Sequence, residues 1–178
     1  MRNKPANVQK GHVLSKVEGF TLIELIVVIA LLAALALGVL AALDPLEQIR
    51  KGQDTARRDV ATQFYTAVIR YYASKEFMPV CTSATSCTVV DKKTLDSADW
   101  TAAKTRMKDA GELKSSYDDV YKTILSEVYG TGNSTEITVC YQPKSKTFKS
   151  DSNTKYTNAD GTVACTPGPT ADCYWCAR

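Results

Sequence analysis

The chain has 178 residues, 22 Lys+Arg against 19 Asp+Glu, a formal net charge of +3 and a single histidine. That length suits one modest domain with an appendage. The near-neutral balance gives no global reason to expect a nucleic-acid partner, and one histidine leaves little for acid–base or metal chemistry.

Residues 1–19, MRNKPANVQKGHVLSKVEG, carry Arg2, Lys4, Lys10 and Lys16 together with Pro5, two glycines and the lone His12. They have no apolar core and read as a basic leader kept in the cytoplasm. From Phe20 onward the chain holds 18 basic and 18 acidic residues, so the positive excess lies wholly in this leader.

An apolar run of 24 residues follows, from Phe20 to Leu43, and its only polar members are Thr21 and Glu24. At ~1.5 Å per residue a helix of that length crosses a ~30 Å hydrocarbon core. The positive-inside rule then puts the N-terminus in the cytoplasm and everything after the run outside. Glu24 is costly in lipid unless it finds a partner, reaches the headgroups or complements the positive end of the helix dipole.

The stretch Gly19-Phe20-Thr21-Leu22-Ile23-Glu24-Leu25 resembles the processing site of the type IV pilin family, which includes the pseudopilins of type II secretion. The resemblance is close over residues 16–45 and loose as far as Pro79. It implies that a prepilin peptidase cuts after Gly19 and methylates the new amino group of Phe20, and that Glu24 is the assembly glutamate. It also implies a structural subunit rather than an enzyme, with no cofactor and no metal. Such a subunit would rest in the bilayer before inner-membrane machinery assembles it, alone or with other pilins, into a surface or periplasmic filament. A pseudopilin is the alternative reading. A membrane-tethered binding or redox domain is the distant one. Within the pilin reading, the Phe20 amine and a Glu24 carboxylate, on the same or a neighbouring helix, would pair in low dielectric and set the axial offset between subunits.

Asp44-Pro45 either kinks the helix or starts a fresh one, with Asp44 as cap and Pro45 at its first position. Gly38 adds a second weak point, making GVLAALDP a plausible hinge. From Leu46 to Ala73 the period is helical, with Leu46, Ile49, Gln53, Ala56, Val60, Phe64, Ala67 and Tyr71 on one stripe. Arg57 and Arg58, interleaved with Asp54 and Asp59, read as a solvated or subunit-pairing face rather than a DNA-binding stripe. Phe77-Met78-Pro79 ends this helix.

The remaining residues should form a head that buries its core against that stripe. Short helices are expected over 97–109, capped by Asp96 or Ser97, and over 116–129, stopped by Gly130. A strand is expected over 136–142, with 146–149 and the tail 173–176 as partners and a polar loop over 150–161. That loop contains Asp151 and Asp160 but lacks calcium-loop spacing, so an ordinary turn is preferred. Asn133-Ser134-Thr135 fits a glycosylation acceptor.

All six cysteines, Cys81, Cys87, Cys140, Cys165, Cys173 and Cys176, fall on the exported side, which favours disulfides over redox or zinc chemistry. Cys81 and Cys87 bracket a small loop. The other four allow three pairings, of which Cys140 with Cys176 and Cys165 with Cys173 is expected, because the last segment can then lie beside the strand holding Cys140. The expected fold is α+β and pilin-like. It comprises a leader (1–19), a transmembrane helix segment (20–44), an amphipathic spine (45–77) and a disulfide-stapled head with a small antiparallel sheet and short helices (78–178).

Overall fold

The computed structural model describes residues 19–42 and 44–178. The leader up to Glu18, with His12, and Leu43 at the end of the apolar run lie outside the described residues. The chain divides between Leu43 and Asp44 into two compact units.

The first unit is built on α1, Leu22–Ala42, which is apolar on every side apart from Glu24 in its first turn. With no polar face it has nothing to present to water and no single side to bury. Gly38 lies inside α1, because an all-apolar run of good helix formers carries the helix through one glycine.

The second unit begins with α2, Pro45–Lys75. Of the two readings of Asp44-Pro45, the structure shows the fresh start. Asp44 adopts extended backbone, its Oδ1 accepts from the Glu47 N–H at 3.2 Å, and Pro45 takes the first helical position, where its missing N–H costs nothing. The helix stops where Glu76 turns left-handed and its N–H donates to the Tyr72 carbonyl.

A hairpin of β1 (Cys81–Ser83) and β2 (Ser86–Cys87) follows, closed by the Cys81–Cys87 disulfide. Then come β3 (Val90–Thr94), a 3-10 turn at Ala98–Trp100, α3 (Thr101–Asp109), α4 (Tyr117–Val120), α5 (Lys122–Leu125), β4 (Val128–Gly132) and β5 (Ile137–Tyr141). The chain ends through α6 (Lys146–Lys149), β6 (Thr154–Tyr156) and β7 (Tyr174–Ala177). Five strands form one antiparallel sheet in the order β3-β4-β5-β7-β6. The arrangement is α+β, as the sequence leads one to expect.

The core lies between this sheet and α2, and every residue of β5 is buried. Phe64 meets Trp100 edge-on at 5.5 Å, with Leu95, Met107, Leu125 and Tyr141 filling the space around them. The stripe on α2 is buried from Val60 onward and Ala56 is half-buried, whereas Leu46, Ile49 and Gln53 stay exposed, because at the helix start the head meets Glu47 on another side.

Three expectations for the head are corrected. Residues 116–129 are not one helix: α4 and α5 are single turns, and Val128 already opens β4. Gly130 does not stop a helix but sits in the middle of β4, where a Cβ would lie 2.3 Å from the Trp100 ring. The glycine is needed for close approach, which looks the same in sequence as a helix stop. Residues 146–149 form a helical turn rather than a strand, because the Ser145 hydroxyl and the distant Asp54 carboxylate engage the backbone N–H groups around its start. The partners of β5 are therefore β4 and β7. The polar loop at 150–161 also contains a strand, β6.

Register places Cys140 opposite Cys176, and these two are bonded, as are Cys165 and Cys173. Cys140→Ser is expected to cost the head about 2–4 kcal/mol, since it opens a loop that closes the sheet around its last strand. Urea unfolding of the full chain in detergent checks this, with an unchanged midpoint as the contrary result.

Candidate functional site

Helix α1 starts on a reciprocal pair of contacts. The Thr21 hydroxyl accepts from the Glu24 N–H at 3.3 Å, while Glu24 Oε2 accepts from the Thr21 N–H at 2.8 Å and from its hydroxyl at 2.7 Å. This is a capping box, which satisfies N–H groups that the first helical turn would otherwise leave without partners. Thr21 is the residue that the sequence reading passed over, although Thr-x-x-Glu at the mouth of an apolar run was signal enough to find it.

The box holds the carboxylate at the tip of the helix, within one turn of the bond between Gly19 and Phe20. Phe20 is 88% exposed, and a Cβ placed on Gly19 would meet nothing within 4 Å. Among the described residues nothing requires glycine at position 19. From Leu22 to Leu40 the helix is long and apolar enough to cross a membrane, and none of that span is buried. Gly19, Phe20 and Glu24 thus lie together, accessible, at one end of an uncovered apolar rod.

These features define a chain anchored by a single N-terminal helix with a polar device at its tip. Residues 14–40 match the family model of the prokaryotic N-terminal methylation motif, the signature of type IV pilins and pseudopilins. That family consists of structural subunits, and the motif carries processing by prepilin peptidase with it. No curated protein and no solved structure matches the chain.

In the head, Arg57 is not on the solvated face expected. Its side chain turns inward and that of Arg58, half-buried, lies along the head, because acidic partners from distant segments meet them there. Arg57 is buried and paired with Asp54 at 2.8 Å and with Glu127. Asp54, fully buried, also accepts from the backbone N–H groups of Lys144 and Ser145. Burial works to raise the Glu127 carboxyl, but hydrogen bonds from Lys144 and Arg57 outweigh it and hold the group below the usual carboxylate range. Arg58 pairs with Asp151 at 2.5 Å and lies over the rings of Phe148 and Trp175.

The carboxylates of the 150–161 segment are likewise engaged. Asp160 pairs with Lys92 at 2.8 Å and accepts from Thr162. Burial opposes its ionisation, yet the bonds from Lys92 and Thr162 prevail and bring its pKa to about 2. The segment folds over the sheet at Gly161, where a Cβ would lie 3.1 Å from Thr138 and 3.4 Å from the Cys176 sulfur. Asp151 and Asp160 thus anchor loops to Arg58 and Lys92. At the turn between β4 and β5, the Asn133 side-chain oxygen accepts from the Thr135 N–H and hydroxyl and from the Glu136 N–H.

Proposed function

We propose that this protein is a type IV pilin-like filament subunit, cleaved after Gly19, N-methylated on Phe20 and polymerised through α1. The observation that carries the reading is the matched methylation signature placed at the start of an apolar helix with no burial of its own. An all-apolar rod that leaves the bilayer must exchange lipid for like helices, and a filament core supplies them. Glu24 then recruits and aligns: its carboxylate pairs with the Phe20 amine of its own or a neighbouring subunit. The leader (1–19) stays in the cytoplasm until it is removed, the span (20–44) anchors the chain, and the spine (45–77) carries the head (78–178) on the outer side. Three disulfides suit a head that works in an oxidising, exposed setting. A pseudopilin would use the same processing and the same helix.

Mass spectrometry of assembled material is expected to find methylated Phe20 at the N-terminus. Gly19→Val should leave intact precursor in the membrane with a normally folded head, since the fold has room for the larger side chain. An intact leader in filaments, or a start after Ala42, would defeat the scheme.

A further inference from the structure

The α2 face that carries Asp54, Val60 and Phe64 runs on toward the helix start through Leu46, Ile49 and Arg50. The head covers that face only from Asp54 onward, leaving Leu46 and Ile49 62% and 58% exposed. Three cations surround this end of the helix, with Arg50 next to the uncovered part. Arg50 and Lys51 lie on the helix, and Lys146 is brought beside it because its backbone N–H donates to Glu47 Oε1 at 2.5 Å. Among the described residues none of these three side chains has an ion-pair partner. Two carboxylates, Asp44 and Glu47, lie among them and accept from the Glu47 and Lys146 N–H groups, so three cations against two anions leave this end with one net positive charge. This end of the unit therefore combines exposed aliphatic side chains with a net positive charge.

We infer that the first two turns of α2, together with Lys146, dock on an anionic phospholipid surface while the chain resides in the membrane as a single copy. The inference rests on the membrane-anchored reading above. Leu46 follows Leu40, the last residue of the span, by only six positions, and six residues reach at most about 21 Å even when fully extended. The bilayer surface is thus always within reach of this patch, at an effective concentration that a diffusing partner does not match. Leu46 and Ile49 enter the boundary between headgroups and acyl chains, and Arg50, Lys51 and Lys146 meet phosphates. A second copy fits less well, since it would bring the same basic edge against this one.

Removing a basic side chain near an anionic surface lowers contact about fivefold, so removing all three lowers it on the order of a hundredfold. All six native cysteines are in disulfides, so Gln53→Cys, on the same helix face and beyond the immediate reach of the tether, accepts a nitroxide label selectively. The labelled full chain is placed one copy per nanodisc, in phosphatidylcholine alone or with phosphatidylglycerol added. The expected result is shielding from an aqueous nickel chelate only in the anionic discs, abolished by the triple change Arg50→Gln, Lys51→Gln, Lys146→Gln. Equal shielding in both lipids, shielding that survives the triple change, or shielding that appears only in assembled filaments would overturn the inference. Peptide mapping of the triple variant should still show the Cys140–Cys176 bond, confirming an intact head. A Phe20 terminus found by mass spectrometry keeps the pilin-like reading in place whichever way this test falls.

Discussion

Glu24→Gln is expected to leave processed chain in the membrane and to abolish or greatly reduce filaments. The substitution isolates charge from local structure. A glutamine oxygen still accepts from the Thr21 N–H and hydroxyl, so the capping box and the start of α1 survive. What disappears is the proposed counter-charge for the Phe20 amine, and an unpaired cation in a low-dielectric helix bundle costs several kcal/mol, on the order of 3–5, at each subunit added. Thr21→Val is the complementary change. It weakens the cap by about 1 kcal/mol but leaves the carboxylate, so filaments should persist at reduced yield. If Glu24 serves only the helix start, the order reverses, with Thr21→Val the more harmful of the two. Counting sheared filaments beside membrane-resident monomer for both variants decides between the roles.

Asp54→Ala is expected to be the most damaging single change in the head. The carboxylate has no exposure, and three groups depend on it: the Arg57 guanidinium and the backbone N–H groups of Lys144 and Ser145. Removing it leaves a buried cation with Glu127 alone and two N–H groups without an acceptor, a loss of about 3–5 kcal/mol. That is a large fraction of the total stability of a domain this size. Arg57→Met in the same chain should recover part of the loss, because it removes the stranded charge, while the N–H groups at the start of α6 remain unsatisfied. Denaturant unfolding of the single and double variants separates the two contributions. A change below about 1 kcal/mol for Asp54→Ala would show that the site relaxes around water instead.

What was legible in the sequence follows from how far apart the interacting residues lie. The candidate processing and assembly residues fall within six positions of one another, so their pattern is local and reads directly. Asp44-Pro45 likewise states its own geometry, a cap followed by a residue that needs no N–H donor. The helical period of α2 is long enough to be unmistakable. The head is different. Whether Lys146 to Lys149 extend or coil depends on Asp54, some ninety residues earlier, and no local propensity carries that information. Gly130 reads as a stop until Trp100 is known to press against it. Arg57 and Arg58 look like surface charges because the acids that meet them, Glu127 and Asp151, come from other segments. Leu46 and Ile49 show the opposite failure: a stripe continuous in sequence is covered only where another element reaches it.

The position of β7 in the sheet also sets an order on biosynthesis. β6 is made before β7, yet β7 must come to lie between β5 and β6 and supply the sulfur for Cys140. Until that segment emerges, β5 and β6 have no strand to join them, and the sheet stays in two pieces. The closure of the sheet and its covalent lock arrive with the same segment, so the head passes from open to fixed in one step.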